Sequence, residues 1–168
     1  LKALCAAFGT TSAAPMIHIK GHTPEDELQN IKCANSTSIM PIDLLNLWQN
    51  FNTGNNKIDL VAIGSPHAST SECLKFLEFL MDKNEVVNVP TILTVGRETL
   101  AKLEEQGHLN QLTKLGVQVV PDICWCSITE PIFPSKTQSL VTNSGKYAHY
   151  GKGLTGRNVR FGSLENCA

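Results

Sequence analysis

The chain has 168 residues, enough for one domain with a sizeable core, and its 42% apolar and 17% charged residues are typical of a globular protein. Its 14 basic and 15 acidic side chains nearly cancel to a formal net charge of −1, so no global basic field favours binding to nucleic acid or to an anionic membrane. The longest stretch without Asp, Glu, Lys or Arg, residues 3–19, is interrupted by Gly9 and three hydroxyl side chains, and it is too polar to span a membrane.

The cysteines and the two ends of the chain indicate an intracellular protein present here in part. Six cysteines occur without the spacing of a disulfide framework, at positions 5, 33, 73, 124, 126 and 167. A domain of this size does not need disulfides, so the thiols are predicted to be reduced and the protein to be cytoplasmic. The first residues lack the basic leader and clean apolar core of a secretory signal. Because the chain opens in mid-pattern without Met and stops without a helix cap, we expect a fragment of a longer protein.

Apolar runs alternate with amphipathic segments along the chain. The runs are short, rich in β-branched residues and bounded by Gly, Pro or Asn, which predicts strands at 15–21, 58–64, 89–96, 117–123 and 138–143. The segments between them place apolar residues at helical spacing, which predicts helices at 42–51, 69–82 and 97–116. Alternating strands and helices are typical of a parallel sheet with helices on both faces, so the chain is predicted to be one α/β domain or one lobe of a larger one.

Local signals support the middle of this pattern. Ser69 and Glu72 have the spacing of a capping box at the start of the second predicted helix. Gly116 is a suitable terminator for the third. The longest linker is the Asn- and Gly-rich stretch 52–57, and no internal repeat is present.

In open parallel sheets, ligands bind at the carboxyl ends of strands and at the N-termini of the helices that follow. This rule selects the residues directly after each predicted strand. They are polar or chemically reactive in every case: GHTPE at 21–25, SPHAS at 65–69, GRE at 96–98, CWC at 124–126 and NSGKY at 143–147.

The pair Cys124 and Cys126 leaves three interpretations open: metal ligands, a redox pair, or two buried small side chains. On an extended chain both thiols point to the same face. A disulfide between them would close a strained small ring, and the absence of a second Cys pair or a His pair at zinc spacing argues against a structural zinc site. A thiol-redox module is disfavoured because no CxxC motif of the thioredoxin type is present. Cys167 follows the strand-like stretch 158–164 and could reach the same end of the sheet.

Four other positions are candidates for substrate binding. His67 follows a Pro and precedes a helix start, where an imidazole can contact an anionic group; a solvent-exposed turn histidine is the alternative. Asn143, Ser144 and Lys146 could present an amide, a hydroxyl and a cation to a carboxylate. The stretch around them is no phosphate-binding P-loop, because the preceding Gly spacing is absent. His18, within an apolar run, is predicted to be a core histidine with its hydrogen bonds satisfied.

Five of these motifs occur in the order and approximate spacing of the aconitase X family, which the chain resembles over residues 1–168. They are GHTPE at 21–25, GSPHASTSE at 64–72, DICWC at 122–126, TNSGKYAHYG at 142–151 and VRFGSLENC at 159–167. The resemblance implies an aconitase-like three-layer αβα fold with a mostly parallel sheet. It also implies that residues 1–168 are a single lobe in the C-terminal part of a larger catalytic region, and that the small swivelling domain lies outside this chain.

The resemblance further implies a hydro-lyase that removes water from a small hydroxy acid. Family members dehydrate cis-3-hydroxy-L-proline or mevalonate 5-phosphate, and the lack of an obvious Arg/Lys cluster favours cis-3-hydroxy-L-proline. The implied cofactor is an iron–sulfur cluster, held by three cysteines, in which one iron acts as a Lewis acid. Cys124 and Cys167 match ligand cysteines of the family, and the third ligand would lie upstream. Cys126 is an additional thiol with no assigned role.

In the aconitase-like enzymes the base is a serine on the swivelling domain, so the resemblance implies that the base comes from a fused segment or from a partner subunit. His67, Asn143, Ser144 and Lys146 then become candidates for contacts to the substrate. The alternative from another class is a non-catalytic α/β fragment that binds or scaffolds. It would follow if the upstream region lacked the third cysteine.

Overall fold

A computed structural model describes residues 1–13, 16–25, 35–83, 86–127 and 132–168. In these ranges, one sheet is built from β1 (Leu60–Ala68), β2 (Thr91–Val95), β3 (Val117–Pro121), β4 (Ser139–Thr142) and β5 (Asn158–Phe161). The strands lie in the order β3-β2-β1-β4-β5, and every neighbouring pair is parallel. The predicted α/β class with a parallel sheet is confirmed.

Seven helices lie in the described ranges. They are α1 (Lys2–Thr11), α2 (Pro41–Phe51), α3 (Thr70–Lys83), α4 (Arg97–Glu105), α5 (His108–Lys114), α6 (Gly145–Thr155) and α7 (Leu164–Cys167). The predicted helices correspond to α2, α3 and the pair α4 and α5. The capping box of α3 is formed: the Glu72 backbone N–H donates to Ser69 Oγ at 3.3 Å, and the Ser69 N–H donates to Glu72 Oε2 at 2.8 Å. The single helix predicted at 97–116 is two helices, because Gly107 adopts a left-handed conformation with φ +76° and interrupts it.

Two apolar cores lie on the two faces of the sheet, and alternate residues of β1 belong to each. Val61 and Ile63 pack with α3, α5 and α7 in what we call the α3-side core. Leu60 and Ala62 pack with α6 in the α6-side core. The second core includes Trp125, whose ring centroid lies 4.4 Å from that of Tyr147. Helices therefore cover both faces of a central sheet, as the three-layer αβα prediction requires.

The strand predicted at 15–21 is wrong for its described part, residues 16–21, which form an irregular segment and a turn. The backbone groups of Ile19 are used locally instead of in a sheet. Its carbonyl accepts hydrogen bonds from the N–H groups of His22 and Thr23, and its N–H donates to Thr23 Oγ1 at 2.9 Å. His18 is half-buried in this segment, and its Nδ1 has no hydrogen-bond partner in the described part of the chain, so the predicted satisfied core histidine is also wrong.

The first two helices differ from the rest in their burial. The sequence did not predict α1, whose Thr10 and Thr11 are poor helix formers but donate hydrogen bonds back to Ala6 O and Ala7 O. α2 begins with Pro41 at its first turn and exposes every side chain except Phe51, which packs edge-on against Phe161. Within the described ranges, no helix is both long enough and apolar enough to cross a bilayer.

The chain order creates a switch point at the centre of the sheet. From β1 the chain builds β2 and β3 on one side, and it then returns to build β4 and β5 on the other. The helices after β1 and β4 therefore leave on opposite faces of the sheet, which opens a crevice between the carboxyl ends of these two strands. The fold thus brings the residues after 64 and after 142 together.

Candidate active site

A cleft with about 350 Å³ of empty volume, part of it open to solvent, occupies this crevice. Four parts of the chain line it: the end of β1, the start of α6, and the first turns of α1 and of α3. The lining residues that carry a charge, an amide or a hydroxyl are Lys2, Ser65, Glu72, Asn143, Ser144 and Lys146. Asn143, Ser144 and Lys146, which the sequence analysis predicted, are therefore brought together.

The end of β1 bends sharply to form one wall of the cleft. Gly64 has φ +105°, and a Cβ at this position would lie only 2.2 Å from the Thr94 carbonyl oxygen, so no other residue fits. The register of the β1–β2 pair shifts between Ile63 and Ala68, as expected for a bulge. The bend places Ser65, which is only 2% exposed, between the cleft and the segment that carries Cys124 and Cys126.

Cys124 and Cys126 flank the Ser65 hydroxyl. Ser65 Oγ lies 2.8 Å from Cys126 Sγ and 3.8 Å from Cys124 Sγ. Cys126 is buried beside Trp125 in the α6-side core, whereas Cys124 is half-buried at its edge. The two cysteines are not on an extended strand, because a 3-10 turn begins at Trp125.

The surroundings of the two thiols push their pKa values apart. Burial raises the pKa of Cys124, but hydrogen bonds from Cys126 and Ser65 and the positive charge of Lys146 outweigh it and lower that pKa. Burial also raises the pKa of Cys126, and the charge of Cys124 raises this pKa further. Hydrogen bonds from Ser65 and Tyr150 lower it only in part. Cys124 is therefore the thiol that ionises first, and Cys126 is the thiol that stays neutral.

Two contacts hold the segment before Cys124 against the sheet. Asp122 has φ +57° and accepts hydrogen bonds from the Arg97 backbone N–H at 2.9 Å and from Arg97 Nε at 2.7 Å. His67 Nε2 donates to the Ile123 carbonyl oxygen at 2.9 Å, because a carbonyl oxygen can only accept. His67 is thus bound to the neighbour of Cys124 and does not line the cleft. Its substrate contact remains a prediction.

The side chains at the start of α6 have different tasks. Ser144 is only 5% exposed: its Oγ donates a short hydrogen bond to the Ser65 carbonyl oxygen and accepts one from the Tyr147 N–H at 3.1 Å. Its hydroxyl therefore caps α6 and joins it to β1. Asn143 and Lys146 are only partly buried and line the cleft. The first turn of α6 contains no acidic residue, so its amide dipoles and Lys146 make this wall attractive to an anion.

Lys2 and Glu72 complete the cleft, and the sequence analysis did not assign either of them to it. Lys2 Nζ donates to the His67 carbonyl oxygen at 2.6 Å and pairs with Glu72 Oε2 at 2.5 Å. Glu72 had been singled out only as a capping residue. Lys2 carried no signal, because its partners lie 65 and 70 residues away in sequence.

The thiols present fit an iron–sulfur cluster only in part. Cys124 suits the task, because a half-buried thiol of lowered pKa beside a cation is readily available as a thiolate ligand. Cys167 lies on α7, is 4% exposed and belongs to the α3-side core, and burial raises its pKa to about 12. The described part of the chain contains no group of three His, Cys, Asp or Glu side chains placed to hold a metal ion. A cluster therefore requires ligands from beyond this site.

Family sequence models match most of the chain. The model described as the aconitase X third domain matches residues 58–168, and that of the aconitase X second domain matches residues 1–49. The Asn- and Gly-rich linker at 52–57 lies between the two matches.

Curated relatives match the chain over nearly its whole length. A cis-3-hydroxy-L-proline dehydratase of Hypocrea jecorina is 37% identical over 99% of this chain and 29% of its own length. The corresponding protein of Pseudomonas aeruginosa is 38% identical over 99% of this chain and 30% of its own. A phosphomevalonate dehydratase large subunit of Thermococcus kodakarensis is 30% identical over 99% of this chain and 42% of its own. The chain thus spans between 29% and 42% of these relatives.

A solved structure supports the same relationship. The crystal structure of Thermococcus kodakaraensis aconitase X in its holo-form superposes with a TM-score of 0.86 at 27% identity, over 98% of this chain and 42% of that one. The match includes the sheet whose switch point forms the cleft. The resemblance found in the sequence motifs is confirmed: this chain belongs to the aconitase X family.

Proposed function

We propose that residues 1–168 are part of a hydro-lyase that removes water from a small hydroxy acid, and that the substrate is cis-3-hydroxy-L-proline. The observation that supports this most is the cleft between β1 and β4: Lys146 and the start of α6 form one wall, and Ser65 of another wall contacts the ionisable thiol of Cys124. Relatives named as dehydratases, at up to 38% identity, support the reaction class.

The charges of the cleft favour a substrate with a single negative group. Lys2 and Lys146 are positive and Glu72 is negative, so the charged side chains that line the cleft sum to one positive charge. Glu72 already pairs with Lys2, which leaves Lys146 as the available cation. The single positive charge of Lys146 complements one carboxylate group of the substrate. A phosphorylated hydroxy acid would bring about two further negative charges to the same cleft.

Each wall of the cleft has a distinct task in this reaction. Lys146, Asn143 and the N-terminus of α6 hold the substrate carboxylate, and this positive end stabilises the charge that builds up when the neighbouring carbon loses its proton. Ser65 orients the thiols through its hydroxyl, and Ser144 fixes Ser65 through its carbonyl. His67 holds the Ile123 peptide and thereby the direction of Cys124.

We propose Cys124 as a ligand of an iron–sulfur cluster, with Cys167 and an upstream cysteine as the further ligands. When bound, such a cluster offers an open iron that acts as a Lewis acid on the leaving hydroxyl. Cys167 is 4% exposed and burial raises its pKa to about 12, so its thiol would have to lose a proton to take part. We also propose that the base is a serine on a small swivelling domain or subunit outside this chain, and that the enzyme is cytoplasmic.

Turnover assays on the full-length protein test this proposal. The protein is purified without oxygen together with its small domain, and water loss is followed from cis-3-hydroxy-L-proline and from mevalonate 5-phosphate. We expect turnover of the first substrate only. Turnover of mevalonate 5-phosphate alone would move the chain to the phosphomevalonate branch, which relatives of 27% to 31% identity represent. Turnover of neither would contradict the proposal.

A pair of lysine variants on α6 locates the carboxylate site. Lys146→Gln removes a charge that lines the cleft, and we expect KM to rise by roughly 10- to 100-fold, the value of a hydrogen bond to a charged group. Lys152→Gln removes a charge from the exposed last turn of the same helix and is the matched control. Equal KM values in both variants would exclude Lys146 as the carboxylate partner.

A further inference from the structure

Glu72 uses only one of its two carboxylate oxygens for structural contacts. Oε2 accepts from the Ser69 N–H at 2.8 Å, from Ser69 Oγ at 2.7 Å and from Lys2 Nζ at 2.5 Å. In the described part of the chain, no hydrogen bond to Oε1 is present. The side chain is 36% exposed and lines the cleft.

The carboxylate of Glu72 is held in its ionised form. Burial raises its pKa, but the hydrogen bonds from Lys2 and Ser69 and the charge of Lys2 outweigh it and lower that pKa. Lys2 is itself held in place by the His67 carbonyl oxygen. Oε1 is therefore a fixed negative acceptor on the wall of a cleft whose other charged wall is Lys146.

A cleft with a cation on one wall and a free carboxylate oxygen on another is complementary to a zwitterion. We propose that Glu72 Oε1 binds the ammonium group of the substrate and thereby selects hydroxylated α-amino acids over hydroxy acids that lack an amine. This inference rests on the proposed function, because it uses the same cleft and the same carboxylate wall.

The test compares two ligands that differ in one ring atom. L-Proline and tetrahydrofuran-2-carboxylate share the five-membered ring and the carboxylate, but an ether oxygen replaces the ammonium in the second. Calorimetric titration of the full-length protein with its cofactor measures Kd for each. We expect the wild type to bind L-proline on the order of tenfold or more tightly than the ether, the value of a charge-assisted hydrogen bond.

Three variants assign the preference to Glu72. Glu72→Gln is expected to weaken L-proline binding to the level of the ether and to leave ether binding unchanged. Glu78 pairs with Lys75 on the exposed face of the same helix. Glu78→Gln removes this carboxylate and is expected to keep the preference for L-proline over the ether. Ser69→Ala removes the hydroxyl, and with it one hydrogen bond to Oε2 and the bond from the Glu72 N–H, but it keeps the carboxylate and the Ser69 N–H bond to Oε2. This variant too is expected to keep the preference for L-proline.

The outcomes separate this inference from the proposed function. If Glu72→Gln still prefers L-proline, Glu72 is not the ammonium partner, although the dehydratase proposal stands. If Ser69→Ala loses the preference as Glu72→Gln does, the helix cap and not the free oxygen is responsible, and the inference is overturned. If the wild type binds neither ligand, the carboxylate site fails, and the proposed function and this inference fall together.

Discussion

The hydroxyl of Ser144 joins the start of α6 to the end of β1, so its removal measures how much this hydrogen bond stabilises the cleft. Ser144→Ala deletes the N-cap of α6, which costs about 1 kcal/mol. It also leaves the buried Ser65 carbonyl oxygen without its donor, at about 1–3 kcal/mol. The two losses share one oxygen atom, and together they predict a destabilisation of about 2–4 kcal/mol.

A second helix of the chain offers a matched control. Ser163 caps α7 in the same way, with Oγ accepting from the Asn166 N–H at 3.1 Å, but it is exposed and has no partner resembling the Ser65 carbonyl among the described residues. Ser163→Ala should therefore lose the cap alone, about 1 kcal/mol or less. The difference between the two variants isolates the buried hydrogen bond between α6 and β1.

Hydrogen exchange in the full-length protein provides the assay, because the amides of β1 and β4 report the opening free energy of this part of the fold. We expect Ser144→Ala to lower that free energy by at least about 1 kcal/mol more than Ser163→Ala does. Equal, small effects of both substitutions would refute the view that this hydrogen bond supports the site.

Two further predictions concern the backbone around the site. Gly64→Ala places a methyl group 2.2 Å from the Thr94 carbonyl oxygen at φ +105°, so it should destabilise the fold by about 3 kcal/mol or more. Gly153→Ala is the control: it adds a methyl group in open space inside α6 and should stabilise the fold by about 0.5–1 kcal/mol. Comparable melting temperatures for the two variants would contradict this prediction. Arg97 lowers the pKa of Asp122, so this carboxylate stabilises the fold above its unfolded pKa of about 3.8, and the contribution is lost as pH falls through the lower folded value. Asp122→Asn should therefore lower Tm slightly at pH 7 and progressively less below pH 4, and a difference that does not change with pH would argue against the ion pair.

The strand-end rule located part of the cleft. Of the five groups that it indicates, those after β1 and β4 line the cleft, whereas the groups at 21–25, 96–98 and 124–126 do not. Cys124 lies 3.8 Å from the Ser65 hydroxyl, and its role as a cluster ligand stays a prediction.

The remaining features depend on contacts that sequence patterns do not carry. Lys2 reaches the cleft from a helix that contains Gly9, Thr10 and Thr11 and so shows no strong helical signal. The run at 15–21 has the composition of a strand, but Thr23 satisfies the backbone of Ile19 in a turn. The motif at 143–146 predicted a substrate contact for Ser144, whereas its hydroxyl is occupied by Ser65 and Tyr147, which only the folded chain reveals.

The most direct test of the central claim, that this part of the protein supports an iron–sulfur dehydratase site at the β1–β4 cleft, is the iron content of the full-length protein with Cys124→Ser. Iron and acid-labile sulfide are measured after anaerobic purification, beside Cys73→Ser, which replaces a buried thiol of the α3-side core and is expected to keep its iron. We predict that Cys124→Ser lacks iron, sulfide and the visible absorbance of the cluster, and that it no longer dehydrates cis-3-hydroxy-L-proline. Full iron and sulfide content in Cys124→Ser would show that Cys124 is not a ligand and would contradict the account.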